Sequence, residues 1–283
     1  MKIHEALSLA TRQLQAAGLA SAVGDAQWLL AFKLGKERSH LFARLQDILD
    51  DDAVAGFQEL IALRAKGKPL QYILGTQEFC GMQFEVTPEV LIPRPETEIL
   101  VEEAKRLLRF PESTIVDVGT GSGCVAVALA VALPGCRIFA TDISMAALEV
   151  ARRNADRFKV SNNIEFFHSD LAEVLIAAGM DCQIDCILSN PPYVAENEWD
   201  TLQSEVKDWE PRLALYGGVS GTDVYRRLIP EAARLLKSGG YLLLEIGFNA
   251  LNSVTALFDS GWAVQDVRND MNGIPRVVIA GRK

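Results

Sequence analysis

The sequence has few of the residues from which metal sites and disulfide frameworks are built: its 283 residues include three histidines and five cysteines. The cysteines form no Cys-x-x-Cys pair and do not cluster with the histidines, so we expect neither a structural zinc nor a disulfide framework. No apolar run is long enough to span a bilayer, and the first residues contain no apolar signal core. We therefore expect a cytoplasmic protein with no metal site and no membrane contact.

The sequence also lacks the excess of basic residues that is typical of nucleic-acid-binding proteins. It contains 28 Lys and Arg residues against 37 Asp and Glu residues, which gives a net charge of −9. Proteins that bind the phosphate backbone are usually basic. We therefore expect no stable nucleic-acid complex, although a site that reaches a single base stays open.

Residues 1–75 show the periodicity of helices and form the first predicted domain. Apolar residues recur three or four positions apart, and Gly35 is a typical residue for the end of a helix. Trp28 and Phe32 are interpreted as residues that pack between helices. Residues 1–75 contain nine Lys and Arg residues and eight Asp and Glu residues, so the excess of acidic residues lies further along the chain.

Residues 76–92 read as a β-hairpin linker, because short apolar stretches are interrupted by glycine and proline. In residues 93–283 short apolar runs alternate with helical patterns, which indicates an α/β fold with a Rossmann-like, mostly parallel sheet. The seven candidate strands are 115–118, 137–141, 164–167, 184–188, 241–246, 262–267 and 277–280. The loop between the last two is too short for a helical crossover, so the last strand is predicted to be antiparallel.

The end of the first of these strands and the loop after it read Asp-Val-Gly-Thr-Gly-Ser-Gly, residues 117–123. Glycines let the backbone approach a ligand closely, and the following helix directs free N–H groups at it. Asp142 ends the next strand, where a carboxylate can accept hydrogen bonds from both hydroxyls of a ribose. The candidate cofactor residues here are Asp117, Gly119, Thr120, Gly121, Ser122, Gly123 and Asp142. The same spacing fits a dinucleotide-binding loop, so it leaves a nicotinamide cofactor and S-adenosylmethionine open.

Two acidic residues favour S-adenosylmethionine. Asp117 precedes the glycines, near where the amino group of the methyl donor could sit. Asp170 follows the third strand, where it could accept a hydrogen bond from the adenine amine, and it is explained equally well as a loop cap.

A candidate catalytic segment, Asn190-Pro191-Pro192-Tyr193, follows the fourth strand. Prolines cannot donate to a strand ladder, but their carbonyls still accept. The segment therefore suits a flat –NH₂ group: Asn190 and Pro191 accept its two hydrogens, Pro192 stiffens the loop, and Tyr193 packs on the plane. The carboxyl ends of parallel strands meet at one edge, so the residues expected to line one crevice are 119–123, 142, 170 and 190–193.

These segments and others resemble the release factor glutamine N5-methyltransferases, the PrmC/HemK family of class I S-adenosylmethionine-dependent methyltransferases, over nearly the full length. The most specific matches are Ile-Pro-Arg-Pro-Glu-Thr-Glu at 92–98 and Glu-Pro-Arg-Leu-Ala-Leu at 210–215. Further matches are Gln-Tyr-Ile-Leu-Gly at 71–75 and Gly-Ile-Pro-Arg at 273–276. The glycine loop and Asn-Pro-Pro-Tyr are shared with many methyltransferases.

The resemblance implies methyl transfer from S-adenosylmethionine, with S-adenosylhomocysteine as product, to N5 of the glutamine in the Gly-Gly-Gln motif of peptide chain release factors. It implies that domain 1–75 helps to hold the release factor, and that the hairpin joins it to the catalytic domain. It places Leu171 beside the adenine, where some relatives carry an aromatic residue, and Asn190 near the donor as well as the acceptor. We expect a monomer.

The expected chemistry follows from the weakness of an amide nitrogen as a nucleophile, since its lone pair is delocalised into the carbonyl. Acceptance of its two N–H bonds by Asn190 Oδ1 and the Pro191 carbonyl would orient the nitrogen and stabilise the charge that develops on it. No histidine or lysine in the motifs suggests a general base.

Several alternatives stay open. An N6-adenine or other nucleic-acid methyltransferase uses the same tetrapeptide on a flipped base, and a sister family methylates a glutamine of a ribosomal protein. A nicotinamide oxidoreductase fits the glycine loop but gives Asn190–Tyr193 no role. An inactive release-factor-binding module is disfavoured by the intact Asn190 and Asp142.

Arg94 and Glu96 are explained equally well as a border of the donor pocket and as a tie between the linker and the catalytic domain. Glu245, at the end of the fifth strand, is interpreted as structural.

Overall fold

The computed structural model describes residues 1–108 and 112–283. The helices are α1 (Ile3–Ala16), α2 (Ala22–Leu34), α3 (Arg38–Ala43), α4 (Asp51–Ala65), α5 (Leu70–Leu74), α6 (Glu98–Leu107), α7 (Cys124–Ala132), α8 (Met145–Arg157), α9 (Glu173–Ala177), α10 (Ser204–Trp209), α11 (Arg212–Leu215), α12 (Asp223–Leu235) and α13 (Leu251–Thr255). The strands are β1 (Thr76–Phe79), β2 (Met82–Glu85), β3 (Thr114–Val118), β4 (Arg137–Asp142), β5 (Ile164–His168), β6 (Ile184–Ser189), β7 (Leu236–Glu245), β8 (Trp262–Asn269) and β9 (Pro275–Arg282). They divide into two compact units, residues 1–76 with 203–209 and residues 77–202 with 210–283.

The smaller unit consists of helices whose buried faces follow the periodicity of the sequence. In α1 the buried residues recur three or four positions apart from Ile3 to Leu14, as expected of a helix with one apolar face. α2 ends at Gly35, which adopts the left-handed conformation with φ +59°. α4 begins after Asp50, whose side chain accepts a hydrogen bond from the Ala53 backbone N–H at 2.7 Å and so satisfies one free donor of the first turn.

The interpretation of Trp28 and Phe32 as packing residues is wrong. Their side chains are 45% and 49% exposed, because the inward face of α2 is formed by residues such as Leu29 and Leu30. The Arg38 guanidinium lies 4.9 Å from the centre of the Trp28 ring, close enough for a cation–π contact.

Residues 203–209 belong to the helical unit, although they lie far along the chain. The buried Arg64 donates through Nε to Asp25 Oδ2 at 2.7 Å, through Nη2 to Glu205 Oε2 at 3.0 Å and through Nη1 to the Lys68 carbonyl at 2.9 Å. An unpaired buried charge would be strongly destabilising, so the bond with Glu205 holds α10 against α4. The sequence interpretation assigned this segment to the second domain, because no local pattern links it to residues 141 positions earlier.

Seven of the described strands form the sheet of the larger unit, in the order β5-β4-β3-β6-β7-β9-β8. In the run β5-β4-β3-β6-β7 each strand is parallel to its neighbours. The strand β9 is antiparallel to both β7 and β8. This confirms the predicted Rossmann-like sheet with an antiparallel last strand. The carboxyl ends of β3, β4, β5 and β6 therefore meet at one edge.

Buried clusters cover both faces of this sheet. Side chains alternate along a strand, so Ile115 joins the cluster that contains Leu129 of α7, and Val116 joins the cluster that contains Leu228 of α12. The hairpin of β1 and β2 contributes Phe79 to the first cluster. With both faces covered, the strand ends and their loops are left to form a site.

Within the described residues, no helix has both the length and the apolar character needed to cross a membrane. The same residues contain no group of three or more His, Cys, Asp or Glu side chains arranged to hold a metal ion. All five cysteines are unpaired.

Candidate active site

A cavity of about 430 Å³ opens at the carboxyl ends of the four parallel strands β3 to β6. This volume lies within the range of cofactor-binding pockets. The predicted residues that line it are Gly119, Gly121, Asp142, Asp170, Leu171, Asn190 and Pro192. The sheet thus brings together the glycine loop, two acidic strand ends and the start of the Asn-Pro-Pro-Tyr segment.

The remaining predicted residues lie outside the lining of this cavity; they are Asp117, Thr120, Ser122, Gly123, Pro191 and Tyr193. The Asp117 carboxylate is buried, and its Oδ2 accepts from Thr120 Oγ1 at 2.7 Å and from the Ala126 backbone N–H at 3.2 Å. Burial raises the pKa of Asp117 to about 6, and these two hydrogen bonds oppose the rise. Asp117 therefore holds the loop and the first turn of α7, a role that the sequence did not suggest.

Ser122 and Gly123 connect the loop to α8. The Ser122 carbonyl accepts a hydrogen bond from Asn154 Nδ2 at 2.8 Å. A Cβ at Gly123 would lie 2.9 Å from the Ala151 Cβ, so only glycine allows this approach of loop and helix.

The exposed part of the glycine loop is held by Asp142. Asp142 Oδ2 accepts from the Gly121 backbone N–H and Oδ1 from the Ser144 backbone N–H, both at 2.8 Å. Gly119 and Gly121 have φ values of +74° and +55°, which side chains other than glycine rarely adopt. Burial raises the pKa of Asp142, and the backbone hydrogen bonds oppose this rise. With a third backbone hydrogen bond from Ile143, the carboxylate keeps one of its four lone-pair sites for a ligand.

Asp170 and Leu171 form the wall after β5. Arg227 of α12 donates through Nη2 to Asp170 Oδ2 at 2.7 Å, and both side chains line the cavity. Leu171 adopts a left-handed conformation with φ +49°. Sequence reasoning missed Arg227, because it lies in the middle of a helix and no motif marks it.

Asn190 is fixed by a residue of the segment 92–98. Its Nδ2 donates to Thr97 Oγ1 at 3.1 Å, so its Oδ1 is the amide atom left for other partners. Arg94 and Glu96 of the same segment do not line the cavity. Thr97 was missed as a site residue, although it lies within a motif that the sequence singled out.

The loop after Asn190 is closely surrounded by glycines. A Cβ at Gly217 would lie 2.6 Å from the Pro192 carbonyl oxygen, and a Cβ at Gly247 would lie 2.8 Å from Tyr193 Cδ2. Both positions therefore need glycine. Tyr193 packs against the cluster formed with α12, and burial raises its pKa to about 12. Its ring thus supports the loop from the protein side, which the stacking interpretation did not anticipate.

Comparison with known proteins identifies the family. A family model of the PrmC N-terminal domain matches residues 5–75, and one of the methyltransferase small domain matches residues 95–208. A release factor glutamine methyltransferase of Geobacter sulfurreducens is 41% identical, over 98% of this chain and 95% of that protein. Its counterpart in Koribacter versatilis is 44% identical, over 100% and 99%.

A solved structure supports the fold independently. A methyltransferase from Pyrococcus furiosus is 21% identical, covers 72% of this chain and 90% of that chain, and superposes with a TM-score of 0.52. At this identity the likeness shows a common fold. The full-length relatives, at 41% and 44% identity, establish that the chain belongs to the release factor glutamine methyltransferase family.

Proposed function

We propose that this methyltransferase transfers a methyl group from S-adenosylmethionine to N5 of the glutamine in the Gly-Gly-Gln motif of peptide chain release factors. The observation that carries the proposal is the position of Asn190: its amide is anchored through Nδ2, and it lines the same cavity as Asp142. A family whose full-length relatives act on a release factor glutamine supplies the acceptor.

The cavity fits the proposed methyl donor. A Cβ at Gly119 or Gly121 would meet no atom within 4 Å, so the backbone there is open to a ligand. Asp142 has a spare lone pair for a ribose hydroxyl, while Asp170 and Leu171 offer a polar and an apolar contact for an adenine. When bound, S-adenosylmethionine supplies an electrophilic methyl group.

The acceptor amide needs two hydrogen-bond acceptors. In the proposal these are Asn190 Oδ1, in the lining of the cavity, and the carbonyl of the next residue, Pro191, which lies outside that lining. Their proposed role is to orient the nitrogen and to stabilise the charge that develops on it. Among the described residues that line the cavity there is no histidine or lysine. None is required, because the proton becomes strongly acidic once the nitrogen is alkylated.

The proposal extends to the partner and its binding. The proposed domains are residues 1–75 for recognition of the release factor, 76–92 as the hairpin linker and 93–283 for catalysis, except that residues 203–209 belong to the helical unit. The protein is proposed to act as a cytoplasmic monomer. The acidic net charge of −9 disfavours a nucleic-acid substrate. Light scattering of the purified chain checks the monomer.

The test is transfer of labelled methyl from S-adenosylmethionine into purified release factor, ribosomal proteins and DNA in parallel. We expect label in the release factor, and none when its Gly-Gly-Gln glutamine is replaced by alanine. Asn190→Ala should lower kcat about 100-fold or more with donor binding intact. Label in DNA or a ribosomal protein but not in release factor overturns the proposal.

A further inference from the structure

Three residues from distant parts of the chain form a hydrogen-bonded row beside the cavity. Ser189 at the end of β6 pairs with Leu244 of β7, so the residues that follow them, Asn190 just after β6 and Glu245 at the end of β7, lie side by side at this edge of the sheet. Thr97 lies between the two: its Oγ1 accepts from Asn190 Nδ2 at 3.1 Å, and its side chain is within hydrogen-bonding reach of the Glu245 carboxyl. Thr97 is 3% exposed and Glu245 2%, so water does not replace these bonds.

The hydrogen bonds of this row all donate in one direction, from Asn190 to Thr97 and from Thr97 to Glu245. The reason is that a threonine hydroxyl has one hydrogen and a carboxylate has none. Ionised Glu245 can only accept, so it takes the Thr97 hydrogen. Thr97 Oγ1 then has only lone pairs to offer to Asn190. The amide must turn Nδ2 towards Thr97, and Oδ1 faces the opposite way.

Protonation of Glu245 removes this constraint on which atom donates in each hydrogen bond. A carboxylic acid can donate to Thr97 Oγ1, which frees the Thr97 hydrogen to bond Asn190 Oδ1 instead. The amide can then flip, and its oxygen is occupied within the protein. The ionisation of one buried carboxyl therefore decides which atom Asn190 presents.

The surroundings leave Glu245 able to change its ionisation near neutral pH. Burial raises the pKa of Glu245 to about 7, and the hydrogen bond with Thr97 opposes the rise. Its Oε2 has no hydrogen-bond partner among the described residues. The charged and titratable groups that face it are Arg94 and Glu96 before α6, Tyr193 after β6, Tyr225 of α12 and Arg276 of β9.

We propose that Thr97 and Glu245 are positioning residues that turn the Asn190 amide so that its oxygen faces the substrate, and that the ionised form of Glu245 does this. The inference rests on the proposed function for the role of Asn190 as acceptor of the substrate N–H bonds. Neither positioning residue touches the substrate; both act through Asn190.

The orientation of Asn190 is measured without any acceptor. The side-chain ¹H–¹⁵N signals of asparagine are followed in the full chain from about pH 5.5 to 8.5, and those of Asn190 are assigned by their loss in Asn190→Ala. We expect them to shift with a midpoint near the pKa of Glu245, and to lose this dependence in Glu245→Gln and in Thr97→Val. Asn190 signals that do not change with pH in the wild-type protein overturn the proposal.

Measurements of kcat and of the donor Kd then distinguish a positioning role of Thr97 from a purely structural one. Thr97→Val keeps the shape of the side chain without the hydroxyl, and Thr97→Ser keeps the hydroxyl. We expect kcat to fall about 10- to 100-fold in Thr97→Val, with the donor Kd unchanged, and to recover to within about threefold in Thr97→Ser. Equal kcat in Thr97→Val and the wild type overturns the proposal.

A control addresses the pH dependence. Glu103 is a buried carboxylate of α6, paired with Arg106 and Arg268, and Glu103→Gln should keep the wild-type pH profile of kcat while Glu245→Gln loses the step near neutrality. If the wild-type protein labels no release factor, the proposed function fails, and the Asn190 signals still decide the role of Thr97 and Glu245.

Discussion

Glu210 accepts a hydrogen bond from the Arg94 guanidinium and a second from the Ile92 backbone N–H, at 3.1 Å for the latter. The Glu210 side chain is 2% exposed and that of Arg94 32%. The pair joins the two segments that indicated the family most specifically. Arg94 thus ties these segments together and does not border the cavity.

Loss of this pair should destabilise the protein. Removal of one partner of a buried ion pair leaves the other without compensation, so we expect Glu210→Ala to lower the free energy of unfolding by about 3 kcal/mol. Glu210→Gln should cost less, because its carbonyl still accepts from Ile92. Chemical denaturation measures both. The matched control is Glu165→Gln, which breaks an exposed pair with Arg137 and should cost under about 1 kcal/mol; equal losses would contradict the prediction.

Asp142→Asn should weaken donor binding. The carboxylate accepts from Gly121 and Ser144 with one oxygen each, whereas an amide has one acceptor oxygen and would turn its –NH₂ against a backbone N–H. We expect the Kd for S-adenosylhomocysteine to rise about 10- to 100-fold, measured by titration calorimetry. Asp181→Asn, which changes an exposed partner of Arg234, is the control and should leave this Kd unchanged.

Asp117 should make stability depend on pH. Burial raises the pKa of its carboxyl from 3.8 to about 6, so the folded state binds the proton more tightly than the unfolded state. The stability from this residue is present below about pH 4 and is lost as pH rises through about 6, by about 3 kcal/mol. Asp117→Asn removes this dependence. The free energies of unfolding of the two proteins should therefore diverge over this window, and parallel curves would contradict the prediction.

Gly247→Ala should impair catalysis without loss of donor binding. The new Cβ would lie 2.8 Å from Tyr193 Cδ2, so the ring and the loop that begins at Asn190 must shift. We expect kcat to fall about 10-fold and the Kd for S-adenosylhomocysteine to stay as in the wild type. A variant with normal kcat would show that the loop tolerates the displacement.

Local patterns predicted much of the fold. The strands, the glycine loop and the position of Asp142 follow from short stretches, because each is set by residues adjacent in the sequence. The role proposed for Glu245 did not follow, since it depends on the pairing of β6 with β7 and on a threonine about 150 positions earlier. Arg227 was missed for the same reason. Trp28 was wrongly predicted to be a packing residue. In a helix with many apolar residues, the sequence does not show which face is exposed to solvent.

The membership of residues 203–209 in the helical unit has a consequence for how such proteins can be divided and recombined. The chain passes from one unit to the other after residues 76, 202 and 209. The helical unit is therefore not a single continuous segment that can be removed by one cut. A fragment that begins at residue 77 would keep Glu205 but lose Arg64, its partner. An exchange of the N-terminal helices between this protein and a relative must therefore include residues 203–209. Otherwise Arg64 and Glu205 end up in chains of different origin, and each can lose its partner.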